Sequence, residues 1–151
     1  MDTGTQGSMT MAGSTGLAQA HAYAVLVVKD YRRAKKFYTD TLGLQVRDAT
    51  GDMMQGMGTV VTGDGTAFEI YENPSLSTPQ NTTLALVVKD FDKTFQELKG
   101  RGVTFEDYDI PGMDIHTAGG ISEMRGIKSA WFKDSEGNII NLISEYPGMT
   151  M

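Results

Sequence analysis

Any chemistry in this 151-residue chain proceeds without thiols, because the sequence contains no cysteine. That excludes thiolate nucleophiles, disulfides and cysteine-based zinc sites together. There is no phosphate-cradling P-loop, no dinucleotide fingerprint and no G-x-S-x-G elbow, and nothing marks a Ser-His-Asp constellation. Hydride and phosphoryl transfer therefore have no support. One carboxylate stands out against this background. Glu69 sits between Phe68 and Ile70 in a strand-like run, Thr66 to Glu72. Alternation along a strand sends Glu69 to the face opposite its two apolar neighbours. A carboxylate turned inward needs a partner or a task. Glu69 is a candidate hydrogen-bond acceptor for a ligand or a general base; a purely structural carboxylate with a polar partner is an equal alternative.

Other side chains carry weaker signals. Trp131, the only tryptophan, suits an aromatic wall for a planar ligand, although a lone tryptophan is more often core. Met53, Met54 and Met57 fall between two strand-like segments and suit an adaptable apolar mouth, with gap filling as the plainer reading. Asp114 and His116 lie in a glycine-rich insertion, Asp107 to Ile127, that has the composition of a loop or lid.

The elements that must hold these residues are revealed by a repeat. Leu26-Val27-Val28-Lys29-Asp30 recurs unchanged as Leu86-Val87-Val88-Lys89-Asp90. Each copy closes an apolar run, Ala22 to Val28 and Leu84 to Val88, which is expected to form a strand buried on both faces. Each run ends at an aspartate placed to cap a helix. Apolar residues then follow at helical spacing, Tyr31, Ala34, Phe37, Tyr38 and Leu42 in one copy, Phe91, Phe95 and Leu98 in the other. Gly43 ends the first helix and Gly100 with Gly102 the second, and short strands follow at Leu44 to Arg47 and Val103 to Phe105. Near each module's end an acidic-Gly turn, Asp64-Gly65 or Glu136-Gly137, joins two strands. The spacing predicts an α+β chain of two tandem βαβββ modules whose mixed sheets curve into a cup. Module one spans 21–73, a linker 74–80, and module two 81–146. Residues 1–20 read as a disordered tail and 147–151 as a C-terminal tail.

Composition narrows the function classes. The formal net charge is −6, and the only local basic cluster, Arg32, Arg33, Lys35 and Lys36, lies on a helix with an apolar opposite face. Nucleic-acid binding, which needs a basic surface, is disfavoured. No apolar run approaches the roughly 18 residues of a membrane span, and the first twenty residues lack a signal-peptide pattern. A cytoplasmic protein without a membrane partner is expected.

The string from Val28 to Val46, VKDYRRAKKFYTDTLGLQV, resembles the first module of the vicinal oxygen chelate superfamily. That superfamily includes glyoxalase I, bleomycin-resistance proteins, fosfomycin-resistance enzymes and extradiol dioxygenases. The string WFKDSEGNIINLIS resembles its closing hairpin, with Ser135 in place of the usual proline. The resemblance spans roughly residues 21 to 146 and speaks to fold more than to activity.

In the family's metal-dependent members, four ligands lie on the first and fourth strands of the two modules. Carried over, those positions are Tyr23, Glu69, Thr83 and Asn141, so only Glu69 keeps a usual ligand type. One carboxylate with a phenol, a hydroxyl and an amide gives weak donors for a divalent ion. His21 stands one pleat repeat (~7 Å) from Tyr23, too far to replace it. The resemblance therefore implies a protein without metal or other cofactor. It would bind a small organic molecule, an antibiotic or a metabolite, in the cup between modules. Tyr23, Glu69, Thr83, Asn141, Trp131, Met54 and Met57 would line that cup. The alternative is a lyase or isomerase of the same fold using Glu69 as base, with or without a weakly held divalent metal. A homodimer is the assembly the resemblance implies.

Overall fold

The two LVVKD corners fold alike because each aspartate caps the helix it precedes. In a computed structural model that describes residues 13, 15–50, 55–113 and 115–146, the Asp30 carboxylate accepts from the Arg33 N–H at 3.0 Å, and Asp90 accepts from the Lys93 N–H at 3.2 Å. Strand β1 (Val25–Val28) leads through this cap into helix α1 (Tyr31–Lys36), which runs on as a π-helical turn, Phe37–Thr41. Strands β2 (Gln45–Asp48), β3 (Met57–Val61) and β4 (Ala67–Glu72) complete module one. Their order is β1-β4-β3-β2, with β1 and β4 parallel and the other pairs antiparallel.

Module two repeats the plan with β5 (Thr82–Val87), α2 (Phe91–Gly100), β6 (Phe105–Glu106), β10 (Ile127–Lys133) and β11 (Ile139–Ile143), ordered β5-β11-β10-β6. The insertion is more structured than the expected loop. It holds a small hairpin of β7 (Asp109–Ile110) and β8 (Ile115–His116), then β9 (Ser122–Met124), which pairs with β10. Its base is pinned by Asp107, whose carboxylate accepts from the Thr117 hydroxyl at 2.8 Å and the Gly120 N–H at 2.9 Å. Those bonds lower the Asp107 pKa. Both acidic-Gly turns need a left-handed glycine, with φ of 70° at Gly65 and 95° at Gly137. Of the expected tails, Gly16–Gln19 form an exposed 3-10 turn. Met53, Met54, Asp114 and residues 147–151 lie outside the described residues.

One side of each sheet and both helices share a single core. Leu26, Val28, Tyr38, Val60, Phe68 and Ile70 from module one pack in the same cluster as Phe95, Ala130, Phe132, Ile140 and Leu142 from module two. Each large apolar side chain buried in this way contributes about 1.5–3 kcal/mol. The expectation that the first strand is buried on both faces is corrected here. Leu26 and Val28 are buried, but Val25, on the opposite face, is 59% exposed, because among the described residues no layer covers that face of β1. A short apolar run cannot distinguish the two cases.

Among the described residues, most of the side-chain hydrogen bonds between the modules gather at one joint. The β10–β11 turn of module two sits on the β1–α1 corner of module one. There the Glu136 carboxylate accepts from the Lys29 and Asp30 N–H groups, each at 3.0 Å. The Arg33 guanidinium grips the same carboxylate at 2.8 and 2.9 Å. Beside it the Tyr38 hydroxyl donates to Asp134 at 2.6 Å, and the Asn138 amide donates to the Val27 carbonyl at 2.9 Å. Burial pushes the Glu136 carboxyl up, but Arg33, Ser135 and the Asp30 N–H outweigh it and hold the pKa at about 2. No helix among the described residues is long and apolar enough to cross a membrane.

Candidate functional site

Strand alternation in β4 sends Phe68 and Ile70 into the core, at 2% and 0% exposure, and turns Glu69 to the opposite, uncovered face. Sheet register then builds a row across four strands. Arg47 on β2 stands opposite Thr59 on β3, Thr59 opposite Glu69, and Glu69 beside Val25 on β1. The Thr59 hydroxyl lies 3.0 and 2.8 Å from the two Glu69 oxygens, so its hydrogen is shared between them. Among the described residues Glu69 thus has a single side-chain donor, and it stays half-buried with acceptor capacity to spare.

The surroundings of this carboxylate are apolar. Val27 and Tyr71 pair one step along the sheet, and Met57 pairs with Tyr71 from the other side. Tyr23, two residues ahead of Val25, is 53% exposed. The Ala24 carbonyl accepts from the Glu69 N–H at 2.9 Å, so strand pairing reaches this segment and alternation keeps Tyr23 in line with Val25. The uncovered face of module one is therefore a carboxylate set among aromatic and aliphatic side chains, with Arg47 at one side.

Module two places its expected residues at matching positions with different chemistry. Ala85 pairs with Asn141 as Val25 pairs with Glu69. Asn141 is 5% exposed, and its amide donates to the Ala130 and Leu142 carbonyls at 3.1 and 3.3 Å. Thr83 sits where the β5–β11 register shifts, and its hydroxyl donates to the Ile139 carbonyl at 3.2 Å. Trp131 stands opposite Asn141 and meets the Tyr108 ring edge-on, centroids 5.6 Å apart. Burial raises the pKa of Tyr108, with the Glu106 charge adding to the effect. His116 is exposed and 3.5 Å from Asp109 in the β7–β8 hairpin.

Among the described residues no hydrogen bond joins Glu69 to Tyr23, Thr83 or Asn141; its partner is Thr59, which sequence reasoning missed. The signal was present in the turn. A hairpin pairing Thr62 with Thr66 across Gly63-Asp64-Gly65 also sets residue 59 opposite residue 69. The donor set does not fit a divalent metal. Of the four carried-over positions Glu69 alone brings charge, while Tyr23, Thr83 and Asn141 offer only neutral oxygens. Among the described residues no group of three His, Asp or Glu side chains is placed to hold an ion.

A family model described as Glyoxalase/Bleomycin resistance protein/Dioxygenase superfamily matches residues 20–142. Among solved structures, a member of that superfamily from Sphaerobacter thermophilus DSM 20745 is similar at 25% identity and a TM-score of 0.60. The match covers 83% of this chain and 98% of that one. TnmS3, an antibiotic binding protein from Streptomyces sp. CB03234, is similar at 23% identity and a TM-score of 0.60, covering 84% and 98%. A bleomycin resistance determinant encoded on the transposon Tn5 is similar at 21% identity and a TM-score of 0.61, covering 83% and 98%. For these last two the likeness is one of fold. No curated protein matches the chain.

Proposed function

The chain belongs to the Glyoxalase/Bleomycin resistance protein/Dioxygenase superfamily, and from that premise we propose that it is a metal-free binding protein for a small organic molecule, an antibiotic or a metabolite. The ligand lies in the cup over the uncovered sheet faces. Glu69 accepts a hydrogen bond from its polar or cationic group, while Tyr23, Val25 and Met57 pack on its apolar body. One observation carries this reading. A half-buried carboxylate with one hydroxyl partner among the described residues stands on a sheet face that also carries the exposed Tyr23 and Val25. Such a mixture of apolar wall and few convergent polar groups is what orients small ligands. The antibiotic-binding role stated for TnmS3 is consistent with it. A second copy of the chain covers the exposed Tyr23 and Val25 in a homodimer, the commonest closed assembly.

The test begins with native mass spectrometry of the purified protein for a carried-through molecule, followed by calorimetry with that molecule or with bleomycin. Glu69→Gln keeps shape and removes charge, and should weaken binding about tenfold with little change in melting temperature. Glu69→Leu should abolish binding of the polar ligand. Affinity indifferent to both substitutions refutes the site.

A further inference from the structure

The repeat gives the chain two equivalent corners, and only one is occupied. Subtracting sixty residues maps Lys89, Asp90, Lys93 and Leu98 onto Lys29, Asp30, Arg33 and Tyr38. Subtracting seventy-two maps Asp134, Glu136 and Asn138 onto Thr62, Asp64 and Thr66. The Lys-Asp step is the same at both corners, but the side chains that close the joint have shorter or less polar counterparts on the other side: leucine for tyrosine, lysine for arginine, aspartate for glutamate, and threonines in place of an aspartate and an asparagine. The gap is visible in the fold. A cleft of about 790 Å³ opens there between the modules, floored by Leu42, Leu44, Phe68, Leu86, Leu98 and Phe132. Leu86 and Val88 are only half-buried, whereas their counterparts Leu26 and Val28 are 3% and 0% exposed.

The rim of this cleft has a precedent for its ligand. At the filled corner the Lys29 and Asp30 N–H groups and Arg33 hold a carboxylate. The open corner has nearly the same backbone, with φ, ψ of −115°, 83° at Asp90 against −137°, 108° at Asp30, and the same aspartate cap. Yet among the described residues neither the Lys89 nor the Asp90 N–H has an acceptor. Asp64, the counterpart of Glu136, lines the cleft with Val88 and Thr94 but makes no hydrogen bond to the corner. We propose that this cleft is a second binding site, separate from the Glu69 face, for an amphipathic monocarboxylate. The carboxylate takes at Lys89, Asp90 and Lys93 the place that Glu136 takes at Lys29, Asp30 and Arg33, and the apolar body fills the space between Phe68, Leu98 and Phe132.

Sodium decanoate and decanol are suitable probes, read by calorimetry and by amide NMR shifts of Lys89 and Asp90. One decanoate should bind per chain, with decanol about tenfold weaker because a neutral hydroxyl forms weaker hydrogen bonds to amides than a carboxylate does. Asp64→Glu lies on the exposed turn and leaves the core untouched. It supplies the missing methylene, so its own carboxylate should occupy the corner and weaken decanoate about tenfold. Leu98→Tyr, which restores the tyrosine of the filled joint, should abolish binding; where it unfolds the chain, Asp64→Glu alone decides. Glu69→Leu should leave decanoate affinity unchanged while removing the Glu69-face ligand, which keeps the two sites distinguishable. Absence of saturable decanoate binding, equal affinity for decanol, indifference to Asp64→Glu, or loss on Glu69→Leu would each overturn the proposal.

Discussion

Replacing Glu136 by glutamine takes one negative charge out of a site where it has five donors and no exposed side-chain surface. The carboxylate accepts from Lys29, Asp30, Arg33 twice and Ser135, and its side chain is 0% exposed. The magnitude follows from its titration. The folded pKa of about 2 lies below the ordinary 4.5, a difference worth about 3 kcal/mol at roughly 1.4 kcal/mol per unit. The sign is that of a depressed acid: this stability is fully present above pH 4.5 and is lost as pH falls toward 2. Glutamine keeps an acceptor for one amide but faces the Arg33 guanidinium with a neutral group, so Glu136→Gln should cost about 3 kcal/mol at pH 7. Urea unfolding followed by Trp131 fluorescence and far-ultraviolet circular dichroism measures it. The gap between wild type and variant should hold from pH 7 to pH 5, shrink through pH 4 and 3, and close near pH 2. A cost under about 1 kcal/mol at pH 7, or a gap that persists at pH 2, refutes the assignment of this carboxylate as the lock between modules.

Other substitutions test neighbouring contacts. Tyr38→Phe removes the hydroxyl that donates to Asp134 in a fully buried setting, and chemical denaturation should show a loss of about 1.5–3 kcal/mol. Gly58 lies under Tyr31, where an added Cβ would collide with the Tyr31 hydroxyl and come within 2.9 Å of the Arg47 carbonyl. Gly58→Ala should therefore destabilise by about 1–3 kcal/mol. Adding Tyr31→Phe, which removes the colliding oxygen along with its bond to Asp48, should make the pair cost less than the sum of the singles. Light scattering at micromolar concentration should give twice the 16.4 kDa of one chain; a particle of single-chain mass argues against the dimer.

The architecture was legible because the repeat carried strand, cap, helix and turn in one order, and each of these has a local cause. Asp30 and Asp90 cap their helices, and Tyr31, Ala34, Phe91, Phe95 and Leu98 are buried as their spacing requires. The facing of Glu69 was legible from Phe68 and Ile70. Its Thr59 partner followed from turn register but needed a decision about which residues flank the turn. The strands β7 and β8, two residues each, are shorter than any periodicity can reveal. Glu136 was the least legible, because a glutamate in an acidic-Gly turn looks like any solvated turn residue. Only packing between distant modules gives it five donors.

That distance has a consequence for how the chain comes into being. Glu136 is synthesised 106 and 107 residues after the two amides it satisfies. At ribosomal speeds of roughly 5–20 residues per second, the Lys29–Asp30 corner waits roughly 5 to 20 seconds for its acceptor. Module one is complete in sequence for the latter part of that interval, with the Lys29 and Asp30 amides still lacking the Glu136 carboxylate. At the matching corner of module two the order is reversed, because the Asp64-Gly65 turn is made before Lys89 and Asp90 leave the ribosome.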